Sequence, residues 1–321
     1  MALSEFELIE RFFSHIGHPR EDVLLGVGDD CALVQVPAGE NLAVSVDTLV
    51  EGVHFYAGTD PEKLGHKALA VNLSDLAAMG AIPAWATLAL TLPESDSEWL
   101  KSFMRGFSAL ANRHRVQLVG GDTTRGALSV TIQVHGFVPP GKALTRDAAR
   151  AGERIGITGT LGDAGLALQQ MAGGRLPEKW LRERLEAPSP RLAAGLALRD
   201  LATSAIDVSD GLLADLGHIC ARSRVGARLE LWNLPLSHEV DEHIKMSGDW
   251  SLPLTAGDDY ELCFTVPPDS CRQIEAALGG IEERVAWIGV VEKDPGIRCL
   301  NADGRQIEAG QGGYQHFQSA K

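Results

Sequence analysis

The 321-residue sequence predicts an α/β fold of the α+β type, arranged in two domains. Three observations carry this. The length exceeds what one hydrophobic core fills, so two cores are expected. Short apolar, β-rich runs alternate with helical patterns along the chain. The segment "VPPGKALTRDAARAGE" (138 to 153) gathers turn formers and charge, and a new strand-like run, "RIGITGT", follows it directly. The boundary is set near residue 150, giving an N-terminal domain over 1–150 and a C-terminal domain over 151–321.

In chain order, "MALSEFELIERFFSHIG" has a capping box from Ser4 to Glu7 and reads as a helix, without the basic start and apolar run of a signal peptide. "DVLLGVG" and "LAVSVDTLV" read as strands, followed by a helical pattern over about 62 to 79. The uncharged stretch 76 to 92 contains Gly80 and Pro83, so it splits into a helix end, a turn and the strand "WATLALTL" rather than spanning a membrane. A helix over 97 to 112 and the strands "VQLVGGD" and "SVTIQVHGFV" complete the first domain. The second offers helices around 163 to 172, 190 to 202 and 210 to 222, with strands at "ARLELW", "ELCFTV" and "VAWIGVV".

Net charge is −14, and an acidic surface of that size argues against nucleic acid and anionic membrane as partners. Any phosphate bound here needs cations to help. The five cysteines are odd in number and form no C-x-x-C pair, which argues against a disulfide framework and a zinc ribbon and for thiols in a reducing cytoplasm.

Carboxylates recur at strand ends and helix starts: Asp29 and Asp30 after "VLLGVG", Asp47 in "AVSVDTL", Asp122 after "QLVGG", Asp207 and Asp210 in "AIDVSDGLL". Mg²⁺ takes oxygen ligands and is held by one or two carboxylates plus substrate phosphates, so this pattern suits a Mg²⁺–nucleotide site. Turn chemistry and helix capping account for any single one of them equally well. Asp75 is the sharper case. It lies four residues after Val71 on the apolar stripe of a helix, where a carboxylate is costly unless it is paired or metal-bound. "GVGDDC" begins like a dinucleotide fingerprint, but Cys31 replaces the third glycine, and the chain has no P-loop, kinase or nucleophile-elbow motif. "LVGGDTTRG" places glycines where backbone N–H groups could approach a phosphate, whereas "GTLGDAGLAL" reads as a capped helix start. His54 in "EGVHF" is the one histidine kept as a candidate.

Taken in order, "GVGDDCA", "SVDTLVEGVHF", "KALAVNLSDLAAMGA", "GGDTT", "LTRDAARAGE", "IDVSDGL" and "GDDYELCF" resemble the thiamine monophosphate kinase family of the aminoimidazole ribonucleotide synthetase superfamily. The resemblance runs from about residue 5 to "GYQHF". It implies a two-domain aminoimidazole ribonucleotide synthetase-like fold whose N-terminal sheet pairs across a homodimer, with ATP as co-substrate and several Mg²⁺ ions. By position it implies metal roles for Asp30, Ser45, Asp47, Asp75, Asp122, Asp207 and Asp210. Gly121, Asp122, Arg146 and Ser209 would contact the nucleotide, and His54, Asp258 and Tyr314 thiamine phosphate. Two positions depart from the family pattern: Val46 stands where a hydroxyl residue is frequent, and "GDDYEL" stands for the usual "GEDYEL", making Asp258 a methylene shorter.

The implied reaction is direct in-line phosphoryl transfer, with no covalent nucleophile and no required general base. A phosphate monoester has its second pKa near ~6 and is largely ionised at neutral pH. The readings that compete are a purine-biosynthesis member of the superfamily, a nucleotide-binding protein without turnover, and a Mg²⁺-dependent phosphatase.

Overall fold

The structure, a computed structural model, describes residues 5–307 and Gly313. The chain separates into two compact units, one of Met1–Leu76 with Ala81–Gly141 and one of Ala77–Gly80 with Lys142–Lys321. Each combines helices with sheet.

The first unit opens with α1 (Glu5–Leu8), which continues into a π-helical turn at Ile9–Phe13 that buries Phe12 and Phe13. Ser4, the expected capping residue, lies outside the described residues. The strand expected at 22 to 28 shortens to β1 (Val23–Leu25), paired antiparallel with β2 (Leu33–Val34). "GVGDDCA" is the loop between them. β3 (Asn41–Val50) runs at one edge of a four-stranded sheet ordered β3-β6-β4-β5, and α2 (Pro61–Ala78) follows it. Then come β4 (Ile82–Leu92), α3 (Ser97–Arg113), β5 (Gln117–Arg125) and β6 (Ser129–Val138). The Asp96 carboxylate caps α3 by accepting the N–H groups of Glu98 and Trp99.

Two glycines let α2 and α3 touch backbone to backbone. A Cβ on Gly65 would stand 2.0 Å from the Phe103 carbonyl, and one on Gly106 would stand 1.8 Å from the Glu62 carbonyl. The sheet's two faces differ in the way period-two alternation requires. Leu49, Val130, Ile132, Val134, Ala86, Leu88 and Leu90 are buried on one face, where Leu76 of α2 packs against Gly136. The other face leaves Leu42, Val44 and Val46 at 43%, 53% and 55% exposure, unusual for aliphatic side chains on a strand.

The second unit is built on a seven-stranded sheet ordered β13-β12-β9-β11-β7-β10-β8. Its strands are β7 (Arg154–Thr158), β8 (Ser204–Asp207), β9 (Gly226–Glu230), β10 (Leu262–Val266), β11 (Val285–Glu292), β12 (Gly296–Leu300) and β13 (Gln306–Ile307). All pairings are antiparallel except β12 with β9. Helices α4 (Asp163–Ala172), α5 (Lys179–Glu186), α6 (Leu192–Leu198) and α7 (Leu212–Ser223) precede α8 (His238–Ser247), α9 (Ser251–Thr255) and α10 (Cys271–Gly279). Ile155, Ile157, Ile206, Leu216, Ile219, Leu229 and Ile288 share one buried core cluster. No described helix is long and apolar enough to cross a membrane.

Candidate functional site

In the first unit the site grows from the contact of β3 with α2. Alternation along β3 turns Ser45 and Asp47 toward the helix side of the sheet, half-buried, while Val44 and Val46 point away. The helix answers with polar residues on the stripe that packs there. The Ser45 hydroxyl donates to the Asp75 carboxylate, and the Asp47 backbone N–H donates to the Asn72 side-chain oxygen at 3.1 Å. Asn72 is 1% exposed and is itself steadied by donating to the Ala68 carbonyl at 3.0 Å. Asp75 is half-buried.

Other candidates of this unit stand elsewhere. Asp30 is exposed on the β1–β2 loop, and its backbone N–H donates to the Asp29 carboxylate at 2.8 Å. Asp29 is thereby engaged in shaping the turn, and Asp30 keeps its carboxylate toward solvent. Asp122 pairs with Ala89, Ala89 with Thr131, and Thr131 with Thr48 across the sheet. Directly paired residues share a face, so Asp122 projects, exposed, from the face opposite Ser45 and Asp47. Gly121 has a structural reason to be glycine, since a Cβ there would come within 1.9 Å of the Leu88 carbonyl. His54 is tied to the end of β3: its Nδ1 accepts the Val50 N–H at 2.9 Å, which leaves the neutral ring's proton on Nε2.

In the second unit β8 delivers Asp207 to its C-terminal end, 3% exposed and paired with Leu262. The chain then makes the loop Val208–Gly211 before α7. This loop is held from both sides. Val208 donates to the Glu261 carbonyl and accepts from Tyr260, and Ser209 accepts from Asp258, all at 2.8 to 2.9 Å. From the helix, one oxygen of Asp215 accepts the N–H groups of Ser209, Asp210 and Gly211 at 3.0, 3.0 and 3.1 Å. Burial pushes the Asp215 carboxyl up to about 7, against the opposing effect of those N–H donors. Gly313 packs on the Asp210 carbonyl and Ala214. Tyr314, a candidate substrate contact, lies outside the described residues. Arg146 is exposed on a segment laid along edge strand β8, where Ala205 donates to the Thr145 carbonyl and Ser223 to the Arg146 carbonyl.

Asp258 sits on a contorted turn. It and Tyr260 both have left-handed backbones, φ +67° and +49°, and the Tyr260 hydroxyl donates to Asp258 at 2.9 Å. What holds that turn is a buried ionic network. Glu261, fully buried, accepts from Arg191 at 2.6 and 2.7 Å, from Arg184 at 2.9 Å and from Thr158 at 2.7 Å. Asp259 accepts the Gly162 N–H with both oxygens at 3.0 Å, and burial raises its pKa well above the carboxylate range. Asp163 pairs with Arg184 at 3.4 Å. Arg191 also meets Glu283 at 2.9 Å, so the two guanidiniums are shared among Asp163, Glu261 and Glu283. "GTLGDAGLAL" is thus a helix start tied into this network.

The donors of both units are oxygens, the chemistry that hard divalent cations prefer. Among the described residues no three His, Cys, Asp or Glu side chains converge as a ready-made metal cage. Asn72 stood out in the sequence only as a polar neighbour of Asp75 open to either a structural or a functional reading, whereas Asp215 and the Glu261 network escaped sequence reasoning. Of these two, only Asp215 carried a signal, a carboxylate in the first turn of a helix opening after Asp-Gly.

Comparison with known proteins follows the same division of the chain. The family model for the AIR synthase related protein, N-terminal domain, matches residues 28–138, and that for the C-terminal domain matches residues 150–300. Thiamine-monophosphate kinase of Escherichia coli K12 is 49% identical over 322 residues, covering 99% of each chain. The crystal structure of thiamine-monophosphate kinase from Stenotrophomonas maltophilia K279a matches with a TM-score of 0.86 at 45% identity, covering 96% of this chain and 99% of that one. A structure described as AaThiL complexed with AMPPCP and TMP matches with a TM-score of 0.77 at 30% identity, covering 88% of this chain and 89% of that one.

Proposed function

The chain belongs to the thiamine-monophosphate kinases of the AIR synthase related family, and from that membership we propose that it transfers the γ-phosphoryl group of ATP to thiamine phosphate, giving ADP and thiamine diphosphate. The observation that carries this is 49% identity along 99% of both chains with a relative of that name. The relative holding AMPPCP, an ATP analogue, together with TMP supports the pairing of the two substrates.

We assign Asp30, Ser45, Asp47, Asp75, Asp207 and Asp210 to holding Mg²⁺ on the ATP phosphates; Asp122, which projects from the opposite face of the sheet, joins them on the family resemblance alone. Gly121, Asp122, Arg146 and Ser209 are assigned to the nucleotide, and His54, Asp258 and Tyr314 to thiamine phosphate. The donor set fits the metal, because Mg²⁺ needs only one or two protein carboxylates when phosphates and water complete its shell. When bound, Mg²⁺ supplies the positive charge that lets two polyanions approach and that neutralises charge on the phosphoryl group in flight. The chain's own work is positioning. Asn72 sets the backbone of Asp47, the Ser45 hydroxyl orients the Asp75 carboxylate, and Asp215 sets the loop of Ser209 and Asp210. No side chain needs to take a proton, because the attacking phosphate oxygen is already ionised near neutral pH. Arg146 adds a fixed cation that can approach the phosphates.

We further propose that two copies pair through the outward face of β3, whose exposed Leu42, Val44 and Val46 support a covered interface. The free state of all five cysteines supports a reducing, cytoplasmic setting. The test is direct: incubate the purified protein with Mg²⁺, ATP and thiamine phosphate and quantify thiamine diphosphate and ADP. Equal yields of both products are expected. ADP formed without thiamine phosphate would replace this reading with a phosphatase, and no turnover at all would end it.

A further inference from the structure

We infer that Asp215 is a positioning residue for phosphoryl transfer, holding the Ser209–Asp210–Gly211 loop in the shape that presents Asp210 and Ser209 to the metal-bound nucleotide; this rests on the kinase reading above. Three consecutive backbone N–H groups converging on one point form a concave anion site. Left open, such a nest would compete for a phosphate in a geometry other than the productive one. Here it is filled from within, by a carboxylate that is 3% exposed and accepts all three donors. With its N–H groups turned inward onto Asp215, the loop offers substrate its side chains rather than its amides.

The surroundings leave the loop no other way to satisfy those amides. Its outer edge is already committed, since Val208 and Ser209 bond to Tyr260, Glu261 and Asp258. Its close contacts exclude side chains: a Cβ on Gly257 would stand 2.2 Å from the Ser209 carbonyl, and one on Gly211 would stand within 2.9 Å of the Thr255 backbone. Without the Asp215 carboxylate, three amides lose their acceptor at once, and the loop rotates or admits water.

The test uses the full chain with Asp215→Asn and Asp215→Ala. Hydrogen exchange at the amides of Ser209, Asp210 and Gly211 is read first, without nucleotide, and faster exchange confined to these amides is expected in both variants. Kinetics are read second. The KM for ATP and the Mg²⁺ concentration giving half-maximal rate should each rise about 10- to 100-fold, as when a group behind a metal ligand is lost, while the KM for thiamine phosphate stays within about twofold. Asp215→Asn keeps the volume and one neutral acceptor, so it preserves the fold if Asp215→Ala does not, with a rise near the lower end. Unchanged exchange at the three amides, or unchanged ATP and Mg²⁺ dependence, overturns the proposal. So does a fall in rate that merely tracks the folded fraction. If the wild-type chain makes no thiamine diphosphate, the kinase reading fails by itself, and the exchange measurement still decides whether Asp215 shapes the loop.

Discussion

The Ser45 hydroxyl on β3 donates its hydrogen bond to the Asp75 carboxylate on α2. A carboxylate half-buried on a helix that packs against sheet needs partners, and the strand supplies a hydroxyl as one of them. Asp75→Asn keeps volume and hydrogen bonding but removes the negative charge. We expect kcat to fall by at least about 100-fold, the upper end for losing even a group behind a metal ligand. The thermal midpoint should move by no more than a few degrees. Circular dichroism melts and a thiamine diphosphate assay on the same preparation check both, and near-normal turnover would remove Asp75 from the metal site.

The outward face of β3 makes a second expectation. In a two-fold dimer each copy presents the same patch, so Val46→Arg would place like charges in a shared apolar interface. Like-charge juxtaposition costs several kcal/mol, enough to weaken association by at least about 100-fold. Sedimentation of wild type and variant at micromolar concentration should show a dimer and a monomer respectively. A variant that stays dimeric would locate the pairing surface elsewhere.

His114 caps the C-terminal end of α3, where burial, followed by the neighbouring Arg113 and His66, lowers its pKa to about 4. The unfolded chain regains an ordinary histidine near ~6.5. As pH falls from about 6.5 toward 4, the unfolded state takes up a proton that the folded state resists, so stability drops across that window. His114→Gln cannot titrate. Between pH 7 and 4.5 the wild type should lose roughly 1–2 kcal/mol more than the variant in urea unfolding. Parallel pH profiles would show that His114 does not carry this dependence.

How much of this was legible depends on how local the cause is. β3 and α2 follow their sequence patterns closely, because alternation over 41–50 and the apolar stripe over 61–78 are local signals. The strand at 22 to 28 shrank because its second half, with Gly28 at φ +125°, turns into the exposed loop carrying Asp30. Asp75 was visible as a charge on an apolar stripe with polar Asn72 beside it, but that Asn72 orients Asp47 on another element was not. Asp122 reads as one of a row of strand-end acids. Only the pairing register, which no single strand encodes, sets it on the face opposite Ser45 and Asp47.

Glu261 shows that limit most sharply, since its partners Arg184 and Arg191 lie 77 and 70 positions away. The carboxylate is fully buried, so its two guanidinium partners cannot turn to water without opening the turn that carries Asp258. Removing one member of a buried ion network leaves uncompensated charge and costs about 3–5 kcal/mol. Glu261→Gln keeps the shape but leaves Arg184 with Asp163 and Arg191 with Glu283 as their remaining carboxylates, so part of that loss should appear in urea unfolding at neutral pH. Activity should fall for a second reason. The network fixes Asp259 and Glu261, the residues between and beside the left-handed Asp258 and Tyr260. The folded fraction of Glu261→Gln should therefore show a raised KM for thiamine phosphate, while Glu283→Gln, which touches Arg191 from the solvent side, should leave that KM unchanged. Equal KM values in both variants would separate the network from any role of the Asp258 turn in binding and leave it a purely stabilising device.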